Sequence, residues 1–302
     1  MRPRPIISLA LGLLLPLALV GCGSASSRDT PAAHTRLSAP LQHIVKTIGD
    51  VRLHTFVAPP EVFGVTAHII ETSESLVVID TQLLEHHAKQ LRAYADGLHK
   101  PIVRVIVSHG HPDHYFGVAQ FADLPTFALP KSLHDMGWRH KGHWRNHRRM
   151  EGDQIAERIV LPRSELVEPE LEVDGVVLRF DAVEACEDNM QLVVRLPAQR
   201  AIIVQDIVYT GYHPFFLTAD FAHWREVLEA LAADPGYDYV MGGHGAPGGV
   251  ETFAWMRAYL DRAETVLGSS KSPSDAVRGM MAAYPDLSGG DVMLSILEGF
   301  SP

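Results

Sequence analysis

Short runs of apolar residues recur along most of the chain, and their spacing predicts a mixture of strands and helices. Alternating or continuous apolar runs predict strands at 51–57, 66–70, 75–80, 102–107, 176–180, 192–196, 201–204 and 239–242. Apolar residues at helical spacing predict helices at 84–98, 222–232, 253–266 and 274–283. The order strand, helix, strand between 75 and 107 indicates a parallel βαβ unit. Because both halves contain strands and helices, we expect an α+β fold of two packed sheets covered by helices.

The first 22 residues predict export from the cytoplasm. Two arginines precede an apolar run from 6 to 20, a pattern typical of a signal peptide. The sequence Leu-Val-Gly-Cys that follows resembles the bacterial lipobox, which implies cleavage before Cys22 and lipidation of its thiol. An uncleaved anchor helix is the alternative. In either case we expect a membrane-anchored protein on the periplasmic or cell-surface side, with residues 23–42, rich in Ser, Ala and Pro, as a flexible linker.

The composition is that of a globular domain able to bury a core, since 46% of the 302 residues are apolar and 21% are charged. The formal net charge of −10 disfavours binding to nucleic acid phosphates, so we expect no nucleic acid partner. The two cysteines are Cys22 and Cys186, and a lipid on the first leaves no partner for an internal disulfide. The composition does not indicate an oligomeric state.

Four side chains that bind metals follow the strand at 102–107 within six positions: His109, His111, Asp113 and His114. A loop at the carboxyl end of a buried strand is where open α/β sheets bind ligands, and the Gly and Pro within this loop favour a tight turn. Imidazole and carboxylate groups are ligands that cations such as Zn²⁺ accept. Isolated histidines elsewhere are expected on the surface or hydrogen-bonded in the core, among them His54, His68, His86, His87 and His99.

The sequence His-x-His-x-Asp-His at 109–114 resembles the signature of the metallo-β-lactamase superfamily, and the resemblance extends from about residue 45 to 265. It includes Val-Ile-Asp-Thr around Asp80, Val-Gln-Asp ending at Asp206, and Gly-Gly-His-Gly around His244. The resemblance implies a four-layer αβ/βα sandwich, here over 43–268, followed by a helical extension over 269–302.

The resemblance also implies a site for two divalent metal ions. His109 and His111 would hold the first ion, Asp113, His114 and His244 the second, and Asp206 both. Zinc is the expected metal, with manganese and iron as alternatives. Two such cations lower the pKa of a shared water molecule and stabilise negative charge on a reacting oxygen. Asp80 would accept a hydrogen bond from a ligand imidazole and orient it.

The sequence departs from the family pattern at one ligand of the first metal. No histidine lies at the expected distance before Pro197, where the family supplies one, and Glu187 occupies that place. This feature resembles the alkyl sulfatase branch of the superfamily. Glu184 and Asp188 are competing candidates, and a site for a single metal is a further alternative. A carboxylate in place of an imidazole favours harder cations. Cys186, if it lies on a strand beside Glu187, faces the opposite side, so we expect it to be a small buried residue.

Two segments are candidates for substrate binding. Residues 134–149 contain five cationic residues together with Trp138 and Trp144. They predict either a lid whose Trp138, Trp144 and Arg145 contact an anionic or amphiphilic substrate, or a cationic helix that faces anionic lipid. Tyr212 and His213 follow Asp206 and either orient substrate or belong to an aromatic loop under the C-terminal helices.

The expected function is hydrolysis of an ester, lactone, amide or sulfate ester in a small-molecule substrate. Asp113 is the candidate catalytic residue, as a ligand or as a proton acceptor. Two alternatives remain open at this point: a di-iron redox enzyme, and a surface lipoprotein that binds metal or ligand without catalysis.

Overall fold

Among the described residues, 38–217 and 219–299, twelve strands form two sheets in this computed structural model of the protein. The first sheet contains, in spatial and chain order, β1 (Gln42–Ile48), β2 (Val51–Val57), β3 (Thr66–Glu71), β4 (Leu76–Ile79), β5 (Ile102–Val107), β6 (Thr126–Ala128) and β7 (Ser164–Glu165). The second sheet contains, likewise in order, β8 (Glu170–Val173), β9 (Val176–Glu184), β10 (Met190–Leu196), β11 (Ala201–Tyr209) and β12 (Tyr239–His244). The predicted signal peptide, Cys22 and the linker up to residue 37 lie outside the described residues.

In each sheet the strands that come first in the chain pair antiparallel, and the last strands pair in parallel. In the first sheet, pairing is antiparallel from β1 to β4 and parallel from β4 to β7. In the second sheet, β8 to β11 pair antiparallel, and β11 pairs with β12 in parallel. The β4–β5 pairing confirms the predicted βαβ unit.

Helices follow or connect these strands. They are α1 (Glu85–Gly97), α2 (Pro112–Tyr115), α3 (Pro130–Glu151), α4 (Phe221–Ala233), α5 (Glu251–Ser269), α6 (Pro273–Ala283) and α7 (Gly290–Gly299). Short 3-10 helices span Pro60–Val62, Phe116–Phe121 and Gly152–Gln154. Of the helices in the described part of the chain, none is both long enough and apolar enough to cross a membrane.

In the described part of the chain, buried apolar side chains fill the spaces between the sheets and the helices that cover them. Ile106 of the first sheet and Leu192 of the second belong to the core between the two sheets. Leu91 of α1 belongs to a core on the outer face of the first sheet, and Trp224 of α4 to one on the outer face of the second. The order of layers is therefore helix, sheet, sheet, helix, which confirms the expected four-layer sandwich.

One buried carboxylate on β3 has three partners on two neighbouring segments and contributes to the pH dependence of stability. Glu71 accepts hydrogen bonds from Arg52 (2.5 Å), Lys100 (2.8 Å) and His54 (2.9 Å). Burial raises the pKa of this carboxyl, but the three hydrogen bonds outweigh burial and lower the pKa to about 2.

Glu71→Gln is expected to lower the free energy of unfolding by about 2 kcal/mol at pH 7. The ionised carboxylate stabilises the folded state fully above its unfolded pKa of 4.5, and this contribution is lost as the pH falls toward 2. The difference between variant and unaltered protein should therefore shrink in urea unfolding at pH 3 relative to pH 7. An equal difference at both pH values would contradict this explanation.

Candidate metal centre

The predicted metal ligands meet at one edge of the sandwich, where β5, β11 and β12 end. His109 and His111 lie in the loop after β5, and Asp113 and His114 lie on α2, which begins with Pro112. Three further residues come from the second sheet: Glu187 from the turn between β9 and β10, Asp206 from β11, and His244 from the end of β12. Both sheets therefore contribute side chains to the same site.

His109, His111, Glu187 and Asp206 form a first group whose ligating atoms all lie within 4.8 Å of one another. His109 Nε2 lies 3.2 Å from His111 Nδ1, and His111 Nδ1 lies 3.1 Å from Glu187 Oε1. His109 Nε2 is 3.7 Å from Asp206 Oδ2. Of the three acidic candidates near residue 187, Glu187 is the one that this group contains.

A second group, whose ligating atoms also lie within 4.8 Å of one another, contains Asp113, His114 and His244. Asp113 Oδ2 lies 3.6 Å from Nε2 of His114 and 3.6 Å from Nε2 of His244. Asp206 reaches this group as well, because its two carboxylate oxygens lie 3.2 Å from His114 Nε2 and 3.2 Å from His244 Nε2. Asp206 is thus the carboxylate that contacts both groups.

Hydrogen bonds on the far side of three imidazoles leave Nε2 free to bind a cation. His114 Nδ1 donates to Asp80 Oδ2 (2.8 Å), and His244 Nδ1 donates to the carbonyl oxygen of Phe63 (2.9 Å). The Ser108 hydroxyl donates to Asp80 (2.7 Å), so it accepts from His109 Nδ1 (3.0 Å). Each partner therefore fixes the tautomer that directs an unprotonated Nε2 into the site.

Asp206 is itself held in place by its neighbours. The Tyr209 hydroxyl donates to Asp206 Oδ2 (2.6 Å), and the Tyr209 ring stacks on the imidazole of His244 with centroids 4.4 Å apart. Gly243 passes so close that a Cβ at that position would overlap Oδ1 of Asp206. A side chain larger than hydrogen at residue 243 would therefore displace the carboxylate.

The buried charges shift the pKa values of the site in opposite directions. Burial and the neighbouring His114 lower the pKa of His109 to about 4. Burial opposes protonation of His111 too, but Glu187 and Asp188 outweigh it and raise the pKa of His111 to about 10. Burial raises the pKa of Glu187 to about 7. Imidazoles and carboxylates buried at this density are stable only when opposite charges compensate them.

Comparison with known proteins settles the family. The model of the metallo-beta-lactamase superfamily matches residues 60–244, which include all seven predicted ligands. The chain belongs to the metallo-β-lactamase superfamily. A comparison with curated protein sequences gives no match.

Solved structures of this superfamily share the fold at low sequence identity. A metallo-beta-lactamase from Pontibacter korlensis is 18% identical, with a TM-score of 0.58 over 73% of this chain and 99% of that chain. One from Pseudomonas aeruginosa, solved in a mono-zinc form, is 22% identical, with a TM-score of 0.54 over 75% and 97%. One from Hirschia baltica is 20% identical, with a TM-score of 0.54 over 74% and 98%.

The residues of this metallo-β-lactamase family member fit a divalent metal. His114 Nε2 and Asp206 Oδ1 are buried without a hydrogen-bond partner, although they lie only 3.2 Å apart. Two ligand atoms bound to one tetrahedral cation at about 2.1 Å lie about 3.4 Å from each other. A cation would therefore satisfy both the imidazole nitrogen of His114 and the carboxylate oxygen of Asp206. The same spacing holds within the first group, between His109 and His111.

The predicted substrate residues of α3 lie away from this centre. Trp138 is 80% exposed, and Trp144 packs inward, with its indole donating to the carbonyl of Ala156 (2.9 Å). Arg145 lines a surface groove on the outer side of α3. No contact in the described part of the chain joins these three side chains to a predicted ligand, so their role in substrate binding stays a prediction.

Tyr212 and His213 lie in an aromatic loop packed against the C-terminal helices, as the alternative interpretation expected. His213 is 2% exposed and its Nδ1 lies 2.9 Å from the hydroxyl of Tyr259 on α5. Tyr212 pairs with Ser288 in an isolated bridge. The structure thus places His213 where solvent has almost no access to it.

The environment of Cys186 differs from the expectation in one respect. The prediction of a small buried residue is confirmed, because Cys186 is 2% exposed. Its placement on a strand is wrong, because β9 ends at Glu184 and β10 begins at Met190, which leaves residues 185–189 as a turn. Alternation along a strand therefore does not decide which of Cys186 and Glu187 faces the site.

The sequence interpretation missed several residues that line the centre. Arg139 on α3 lies 3.1 Å from Asp188, and Asp188 also accepts from the backbone N–H of Gly110 (3.3 Å). The half-buried His143, one turn further along α3, interacts electrostatically with His111. Asp135, Arg139 and His143 are spaced by four residues, and this spacing was the signal that could have placed them on one face of α3.

Proposed function

We propose that this protein is a metal-dependent hydrolase that binds two divalent cations and cleaves an ester, lactone, amide or sulfate ester bond. The observation that carries the proposal is the position of Asp206, whose carboxylate contacts His114 and His244 at 3.2 Å and His109 at 3.7 Å. A carboxylate that joins two ligand groups is the arrangement expected of a two-metal site.

Seven side chains would hold the two cations. His109, His111 and Glu187 bind the first, and Asp113, His114 and His244 bind the second, with Asp206 contacting both. Zinc suits the four imidazoles. Manganese or iron is the alternative, which the carboxylate of Glu187 favours at the first position.

The bound cations would supply an acidified water molecule and positive charge opposite the oxygen that becomes negative in the transition state. The polypeptide supplies the proton acceptor. Asp113 is 21% exposed at the mouth of the site, and although burial raises its pKa, His114 and His244 outweigh burial and keep the carboxylate ionised. An Asp113 carboxylate oxygen that is not bound to the cation would accept the proton that the attacking water loses and return it to the leaving group.

The mouth of the site favours a small substrate that is anionic or amphiphilic. The guanidinium of Arg139 lies beside Gly110 of the ligand loop and is about one third exposed. The ring of Phe215 lies 6.5 Å from that of His111 and supplies an apolar wall. A cation and an aromatic ring at the same opening suit an acid that carries an apolar group.

Metal analysis of the protein from its native host, followed by kinetics, tests this proposal. We expect two equivalents of divalent metal, loss of turnover on chelation, and recovery on addition of zinc or manganese, with a panel of esters, lactones, amides and sulfate esters as substrates. His223→Ala, a surface histidine on α4, is the control that should leave both metal content and turnover unchanged. Stoichiometric iron without hydrolysis would favour the redox alternative, and bound metal without any turnover would favour a binding protein.

We also propose that the protein is exported and anchored through a lipid on Cys22. The support is the signal-like sequence of residues 1–22 and its lipobox. Cys22→Ser should abolish incorporation of labelled fatty acid and leave the uncleaved, longer chain on a gel, while Cys186→Ser should change neither. Equal labelling of both variants would contradict the anchor.

A further inference from the structure

Helix α3 presents two chemically different faces. Asp135, Arg139 and His143 lie toward the metal centre, where Arg139 contacts Asp188. The opposite face is solvent-exposed and carries residues spaced by three or four positions: His134, Trp138, Lys141 and Arg145. Trp138 is 80% exposed, which is unusual for a residue of this size in a folded domain.

A groove of about 380 Å³ lies beside this outer face, between α3 and residues 157–159. Its lining contains one acid, Glu157, and a set of cationic or amphipathic side chains: His140, Lys141, Trp144, Arg145 and Arg158. The protein as a whole carries a net charge of −10, so this concentration of positive charge is a local exception. An anionic partner would approach the groove and be repelled elsewhere.

The described chain begins beside the same helix. The backbone N–H of Ser38 lies 3.4 Å from Oε1 of Gln154, which belongs to the 3-10 helix directly after α3. Ser38, the first described residue, therefore lies next to the 3-10 helix that follows the cationic end of α3.

We infer that the outer face of α3 docks the protein on an anionic phospholipid membrane. Lysine and arginine attract anionic headgroups over a distance of a Debye length, and an exposed tryptophan inserts at the level of the headgroups. The groove accepts phosphate groups of the lipid, and Trp138 anchors the helix in the interface. This orientation does not depend on catalysis, so it stands or fails separately from the proposed hydrolysis.

Fluorescence quenching by brominated lipids tests the docking. The full-length protein is reconstituted into vesicles of phosphatidylglycerol and phosphatidylcholine, or of phosphatidylcholine alone, with bromine on the acyl chains. The emission of Trp138, obtained by subtracting the spectrum of Trp138→Phe, should fall roughly twofold in the anionic vesicles and recover at high salt. Equal emission in the two kinds of vesicle would overturn the inference.

Charge reversal identifies the residues responsible. Lys141→Glu combined with Arg145→Glu should remove the quenching of Trp138. The matched pair, Lys271→Glu in the loop before α6 and Arg278→Glu on α6, is also exposed and should not remove it. Thermal melting shows whether each variant is folded. If a variant does not fold, the comparison of anionic with neutral vesicles in the unaltered protein still tests the docking. A change in Trp138 emission on addition of inorganic phosphate without vesicles, combined with no quenching by the anionic vesicles, would identify a small-anion site and overturn membrane docking.

Discussion

Asp206→Asn should lower kcat/KM about a thousandfold and bring the metal content below one equivalent per chain. The carboxylate is the group that contacts imidazoles of both ligand groups, at 3.2 Å and 3.7 Å. An amide lacks the negative charge and turns an N–H toward the cation, and a loss of several kcal/mol of charge stabilisation corresponds to about three powers of ten in rate. Metal analysis and steady-state kinetics on the same sample measure both effects.

A second variant distinguishes the loss of the Asp206 ligand from the loss of the hydrogen bond that holds this ligand in place. Tyr209→Phe keeps the Asp206 carboxylate but removes the hydroxyl that donates to it at 2.6 Å. We expect metal affinity to fall about 10- to 100-fold, as is typical when a partner of a ligand is removed. If Asp206→Asn retained two equivalents and normal turnover, the two-metal proposal would be wrong.

Glu187→Ala should remove the first metal selectively, with an affinity loss of at least about 100-fold and retention of the second metal. Glu187 Oε1 lies 3.1 Å from His111 Nδ1, while Asp113, His114 and His244 remain together without it. Glu187→His should restore the first site and shift its preference from manganese toward zinc, because an imidazole is the softer ligand. Competition titrations with both metals measure this change.

Glu184→Ala is the matched control for Glu187→Ala. Glu184 lies only three residues away, but it is exposed at the end of β9. The control should bind both metals normally. Equal losses in the two variants would mean that the turn, not the carboxylate of Glu187, determines metal affinity.

The sequence predicted those elements whose buried faces impose a regular pattern. Strands β2 and β5 coincide with the predicted ranges because their side chains pack into the two cores. β1 was missed because it is exposed along most of its length and pairs with β2 alone, so its sequence has no apolar face. Residues 134–149 were interpreted either as a lid or as a cationic helix, and the full extent of α3 was not predicted, because just two of its 22 residues are buried.

The ligand motif was predictable because it is local, and its surroundings were not because they are distant in sequence. His109 to His114 fall within six residues, so the chain itself reveals their chemistry. Tyr209 belongs to a segment whose own pattern carries no sign of the centre, and only the folded sheets bring it there. Arg139 belongs to the segment interpreted as a lid or a cationic helix, and its position beside Asp188 emerges only in the fold. The turn at 185–189, which lies between the predicted strands at 176–180 and 192–196, depends on a left-handed backbone at Ala185 that alternation of side chains does not reveal.

The predicted ligands are divided between the two sheets, so bound cations would also stabilise the fold. His109 and His114 follow the first sheet, and Glu187, Asp206 and His244 belong to the second, so each cation would link one sheet to the other. A ligand that binds only the folded state at a thousand times its Kd adds about 4 kcal/mol of stability. When metal is scarce in the cell, the two sheets would therefore separate more often. Proteolysis of the opened protein would then lower its abundance.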